Sequence, residues 1–229
     1  MTASVSGDGA GTPLGAALLE AVAVMDRLRS PGGCPWDAEQ DHRSLAPYLI
    51  EEAYEALQAI EDDDLDALRD ELGDVLLQVL FHARLAEELP TDRRWSIDDV
   101  AAGLVAKLTR RHPHVFGDTV VSGADDVNRN WEQIKAAERG GASAVASVPM
   151  NSPALTLTAK LQRKGGVEPV SASELVEVTE RFAAAPSDET AAALLWAAVS
   201  LMRSHEIDPE AALRAKARVF RDEVLAADS

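Results

Sequence analysis

The chain has 229 residues, a formal net charge of -17, one cysteine, and Phe, Tyr and Trp at only 4%. That length buries a real core and fits one large domain or two small ones. The charge excludes a nucleic-acid duplex held through its phosphates, which needs a dense Lys/Arg face, but leaves room for a small phosphorylated ligand carried with a cation. Cys34 alone excludes an intrachain disulfide framework and suits a reducing cytoplasm. No apolar run approaches the roughly twenty residues of a membrane span. Met1 to Thr12 lacks the basic start and apolar stretch of a signal peptide, so a soluble, cytoplasmic protein with a disordered tail over 1–12 is expected. Ala and Leu dominate, and no alternating β-branched run occurs, so the expected fold class is all-α.

In chain order, a first helix is expected from Leu14 to Arg29, ended by Ser30-Pro31-Gly32-Gly33. Cys34-Pro35-Trp36-Asp37 follows as a loop. Ser44 is placed to cap a helix running from Leu45 to Ile60, with Pro47 tolerated in its first turn. The acidic run Glu61-Asp62-Asp63-Asp64 makes a short turn and caps a second long helix over Leu68 to Ala86. So short a turn implies an antiparallel hairpin. A further helix starts at Ser96, which forms a capping box with Asp99, and ends at His112 before Pro113. Another spans about Asp125 to Arg139, and Gly140 to Met150 reads as a linker.

The hairpin carries the chemistry. Glu52 and Glu55 lie three apart, as do Glu71 and Asp74, so each pair shares one helix face. The core-facing stripes would be Leu45, Leu49, Ala53, Ala56 and Ile60 on one helix and Leu68, Leu72, Val75, Val79, Ala83 and Ala86 on the other. Glu52 falls within the first stripe and Glu71 flanks the second. The run from Val75 to Phe81 is apolar almost all round and is expected to be buried on every side. Burying an ionised carboxylate uncompensated costs several kcal/mol, roughly, and four converging acids repel one another. Either they are protonated or a cation sits between them, and all-oxygen donors suit Mg²⁺, Mn²⁺ or Ca²⁺ rather than zinc. The bland reading is two solvated acidic helix faces.

These acids, together with Gly33-Cys34-Pro35-Trp36-Asp37 and Arg110-Arg111-His112-Pro113-His114-Val115-Phe116, closely resemble MazG-type nucleoside triphosphate pyrophosphohydrolases. The resemblance covers about Leu14 to Lys135. The carboxylate motif is shared with a wider superfamily of all-α pyrophosphohydrolases, whereas the CPWD and RRHPHVF segments are specific to MazG. The resemblance implies Mg²⁺-dependent cleavage of a nucleoside triphosphate to monophosphate and pyrophosphate, with Mn²⁺ as a substitute, on a helical core completed by pairing with a second copy. It also implies housecleaning of excess or damaged nucleotides. By the same resemblance the metal ligands are Glu52, Glu55, Glu71 and Asp74, and Glu51 completes the catalytic set, either orienting or deprotonating the attacking water or serving as a solvated flanking acid. Lys107 and Arg111 fall where the family contacts phosphates; as residues of a last helical turn they would otherwise complement the helix dipole. Trp131 and Lys135 fall where it places a tryptophan on the base and a lysine near phosphate, although a lone Trp at helical spacing is otherwise core. Cys34 to Asp37 is either a lid or a rigid turn, Arg69 contacts phosphate or pairs with nearby acids, and His82, His112 and His114 read as structural.

The expected domains are a tail over 1–12, a catalytic domain over 13–140, a linker over 141–152 and a helical region over 153–229. The last looks like a degenerate second copy. Ala193 to Met202 echoes Val75 to Arg84, and Glu177-x-x-Glu180 echoes the first acid pair, while Thr190 and Ala193 stand about where Glu71 and Asp74 would fall. Two rival readings stand beside the enzyme. A di-iron bundle would show Glu-x-x-His pairs, which are missing here. A non-catalytic nucleotide-sensing or scaffold protein would have lost its motif acids.

Overall fold

The computed structural model describes residues 13–228, so the tail expected over 1–12 lies outside the described residues. Among the described residues there is no strand, and the all-α expectation holds. Two compact units divide at Val120 and Val121. The first holds α1 (Ala16–Arg29), α2 (Pro35–Glu39), α3 (Ala46–Glu61), α4 (Leu65–Ala86), α5 (Ile97–Arg111) and α6 (Pro113–Phe116). The second holds α7 (Ala124–Glu138), α8 (Ala154–Lys164), α9 (Ala172–Ala184), α10 (Asp188–Ser204) and α11 (Pro209–Ala227), with a 3₁₀ turn at Val145–Ser147.

Helices α3 and α4 form the central hairpin of the first unit. Its turn is set by local chemistry: Asp63 adopts φ 55°, and the Asp64 carboxylate accepts from the backbone N–H groups of Asp66 and Ala67. Helix α1 packs on α4, and Met25, Leu45, Leu80, Phe81 and Leu85 form the buried core at the end away from the turn. The expected capping box of Ser96 and Asp99 starts α5. Gly32 and Gly33 are both required for the turn after α1. Gly32 has φ 77°, and a Cβ on Gly33 would stand 2.0 Å from the Leu28 carbonyl oxygen.

Three expectations are corrected. Ser44 does not cap α3, whose N-cap is Leu45. Asp41 folds its carboxylate onto the N–H groups of Arg43 and Ser44, and the Ser44 hydroxyl accepts from Asp41 N–H, so this side-chain turn captures the hydroxyl before the helix starts. The segment Cys34 to Asp37 is not a loop: with Pro35 at its first position it opens the short helix α2. The apolar stripes are only half covered. Leu45, Ala56, Ala83 and Ala86 are buried, but Leu49, Ile60, Leu72 and Val79 are exposed, Leu72 at 52%. Val75 to Phe81 is likewise exposed at Leu76, Leu77 and Val79. Within one chain, α1 covers one side of the hairpin and leaves another bare.

In the second unit α10 packs on α8 and α9, and α11 on α8. Polar groups enter its core: Gln162 donates to the Trp196 carbonyl at 2.9 Å, and the Ser200 hydroxyl accepts from Val170 N–H at 3.0 Å.

Candidate metal and substrate site

Hairpin geometry brings carboxylates from two helices together. Carboxylate oxygens of Glu52 and Glu55 on α3 and Glu71 on α4 all lie within 4.8 Å of one another. Glu52 and Glu71 are half-buried and Glu55 is exposed. The Glu52 carboxyl is held above its ordinary range, first by lost solvation and then by the charges of Asp74, Glu55, Glu51 and Glu71. Glu71 is pushed the same way, first by lost solvation, then by Glu55, Asp74 and Asp70, and by a hydrogen bond with Glu55. Asp74 stands exposed outside the three-residue group, yet its charge is the strongest influence on Glu52 after burial. Glu51 is exposed beside it on α3.

The donor set is oxygen only, and its own repulsion opposes full ionisation. A hard divalent cation fits both features, because it takes carboxylate oxygens and leaves positions for water and phosphate.

The expected substrate residues stand on other helices. Lys107 is exposed on α5, and Arg111 is half-buried at its last position. Trp131 and Lys135 lie on α7 in the second unit, both half-buried, where Lys135 pairs with Glu132 at 2.8 Å. Arg69 pairs with Asp66 at 3.1 Å and with Asp70 at 3.3 Å, matching the reading of an arginine engaged by nearby acids.

Helix α2 is fixed rather than free. The Arg29 guanidinium donates to the Asp37 carbonyl, grips both carboxylate oxygens of Glu88 at 2.8 and 2.9 Å and lies over the Phe81 ring. Trp36 meets Tyr48 and Phe81 edge to face, at ring-centroid distances of 6.1 and 6.4 Å. Sequence reasoning passed over three features here: the Arg29–Glu88 grip, the pairing of His82 with His42 at 2.8 Å between Nδ1 atoms, and the buried Gln78. Only Gln78 left a signal, as the one polar residue in the run from Val75 to Phe81.

An all-α hairpin that gathers oxygen-only carboxylates defines a class of helical proteins able to hold a hard cation, and comparison with known proteins narrows it. Residues 40–116 match the family model of the MazG nucleotide pyrophosphohydrolase domain. The "Nucleoside triphosphate pyrophosphohydrolase/pyrophosphatase MazG" of Thermotoga maritima is 41% identical over 214 residues, 88% of this chain and 81% of that protein. An "Uncharacterized 26.1 kDa protein in blaB 3'region" of Streptomyces cacaoi is 43% identical over 218 residues, 93% of this chain and 84% of that protein. The "Nucleoside triphosphate pyrophosphohydrolase" of Escherichia coli K12 is 46% identical over 145 residues, 62% of this chain and 54% of that protein. The chain belongs to the MazG family of nucleotide pyrophosphohydrolases.

Proposed function

We propose that the protein hydrolyses nucleoside triphosphates, including damaged ones, to nucleoside monophosphate and pyrophosphate, as cytoplasmic housecleaning of the nucleotide pool. The observation that carries this reading is the convergence of Glu52, Glu55 and Glu71 within 4.8 Å. Glu52, Glu55, Glu71 and Asp74 would hold Mg²⁺, with Mn²⁺ as a substitute. When bound, the ion neutralises charge on phosphate oxygens and acidifies a bound water.

Water supplies the oxygen that joins the monophosphate or the pyrophosphate, the α–β anhydride bond breaks, and the water's proton leaves to a base. Glu51 is that base, or orients the water, from an exposed position one residue before Glu52. Lys107, Arg111 and Lys135 offset the triphosphate charge, and Trp131 stacks on the base. Residues 13–140 form the catalytic domain in this reading, followed by a linker over 141–152 and, over 153–229, a degenerate second copy that supports packing.

The working form is a homodimer. Leu49, Ile60, Leu72 and Leu76 are exposed on the hairpin, and no residue of α5 is buried, an apolar surface suited to a second copy. No helix among the described residues is long and apolar enough to cross a membrane.

The test is product analysis with a panel of ordinary and oxidised NTPs and dNTPs, with Mg²⁺ and with EDTA, alongside Glu52→Gln and Asp74→Asn. Monophosphate plus pyrophosphate, formed only with metal and lost in folded variants, is expected. Diphosphate plus orthophosphate would overturn the cleavage position. Metal-dependent nucleotide binding without turnover would replace the enzyme by a nucleotide sensor.

A further inference from the structure

We propose that the second unit holds an anion-binding site, a cavity lined by Lys160, Arg163 and Arg203 that takes a phosphoryl group, either free as phosphate or pyrophosphate or carried on a nucleotide. The cavity measures about 460 Å³, ample for such a group, and Thr156, Glu206 and Asp208 complete its polar wall. Lys160 and Arg163 stand three apart on α8 and so share one face. Arg203 comes from the last turn of α10, and residues 206–209, on the way into α11, supply the rest of the lining. The site takes no residue from the acid hairpin and goes beyond the hydrolase reading.

Charge singles this cavity out. With 39 acidic against 22 basic side chains, a cation left without a carboxylate is unexpected, yet none of these three makes an ion pair among the described residues. Arg203 is held in place by a neutral group instead: its Nη2 donates to the Val167 carbonyl at 2.6 Å. Its Nε is buried with no hydrogen-bond partner among the described residues. That atom is sealed and touches no ligand, but it belongs to a half-buried guanidinium whose charge the fold leaves uncompensated, a cost that an anion in the cavity relieves. Of the two carboxylates in the wall, Asp208 is engaged as the cap of α11, accepting from the N–H groups of Glu210 and Ala211. Glu206 is exposed and pairs with none of the three cations. Beyond ion-pair distance, Arg163 also acts on Glu132 of α7, whose carboxyl is held below its ordinary range first by a hydrogen bond with Lys135 and then by the charges of Lys135, Arg163 and Arg139. Three cations thus face two carboxylates, one of them offset by a helix N-terminus, and the cavity is positive in a chain of net charge -17. Lysine and arginine donors converging from two helices are what phosphate oxygens accept from.

The test is calorimetric titration of the full-length protein in EDTA, at constant ionic strength, with phosphate, pyrophosphate and a nucleoside monophosphate, and with chloride as the blank anion. EDTA withholds the cation through which the acid hairpin would hold phosphate. Pyrophosphate is expected to bind, and Lys160→Gln and Arg163→Gln each to weaken it about tenfold, the loss of one charge-assisted contact. Arg203→Gln should do the same, with circular dichroism as its folding control because Arg203 also holds Val167. Glu206→Gln, which removes a wall carboxylate, should tighten binding about twofold. Lys107→Gln, in the first unit, leaves it unchanged. Monophosphate binding weakened by the same variants supports the site with a nucleotide as its source; pyrophosphate binding alone supports it with the free anion. No binding of any of the three anions, a heat matched by chloride, or full affinity in folded Lys160→Gln and Arg163→Gln variants would overturn it. So would a loss confined to Lys107→Gln, which would assign the anion to the substrate residues. Turnover is decided separately: a protein that turns over no nucleotide yet binds pyrophosphate through Lys160 keeps this site and loses the hydrolase reading.

Discussion

Replacing Glu52 by Gln removes one of three carboxylates whose oxygens crowd within 4.8 Å. At that spacing a pair of unit charges repels by about 0.9 kcal/mol in water, and physiological salt roughly halves this for groups open to solvent. Glu52 takes part in two such pairs, so the metal-free variant should be more stable than wild type by about 1 kcal/mol. For a chain of this length that raises Tm by about 2–4 °C. The sign with pH follows from the raised Glu52 carboxyl. The repulsion is present in full above its folded pKa and vanishes below the ordinary value of 4.5, so the gap between variant and wild type closes on acidification. Magnesium reverses the order. At ten times its Kd it stabilises wild type by about 1.4 kcal/mol, a gain the variant largely loses along with turnover. The assay is thermal unfolding at neutral and acid pH, with magnesium or EDTA. A metal-free variant no more stable than wild type at neutral pH, or one with an undiminished magnesium response, would refute the argument.

Arg29→Met removes a guanidinium whose side chain is 8% exposed and bound to Glu88 and the Asp37 carbonyl; urea unfolding should show a loss of about 2 kcal/mol. The His82 pKa is lowered, first by burial and then by His42. Its neutral form therefore stabilises the fold fully above pH 6.5 and does so less as pH falls below that value. His82→Phe should flatten this part of the Tm profile, and an unchanged profile would rule His82 out. Leu72→Glu, on the exposed hairpin face, should weaken self-association at least about tenfold in sedimentation experiments. Truncation after Gly141 should retain turnover if the remainder stays folded; a folded, metal-binding fragment without turnover would assign the removed region a catalytic part.

What could be read from the sequence was what local rules decide. Glu52, Glu55 and Glu71 were legible because helical spacing and a three-residue turn fix which side chains meet, and Asp64 and Ser96 because a cap depends on four consecutive residues. Ser44 was misread because two local hydrogen-bond patterns compete, and Asp41 wins. Periodicity identified the apolar face of α3 and α4 but not what covers it, so Leu49 and Leu72 were expected inside and stand outside.

A helical hairpin does not require an acid cluster to fold, and the second unit makes the point. Helices α9 and α10 pack on each other much as α3 and α4 do; α10 carries Thr190 and Ala193, and Glu177 and Glu180 stand exposed on α9. No three-acid group among the described residues forms there. The first hairpin carries the repulsion worked out for Glu52, and the Glu52 and Glu71 carboxyls are both raised, first by lost solvation and then by the neighbouring acids. A standing electrostatic cost in a scaffold able to fold without it is what acids that serve a ligand would impose.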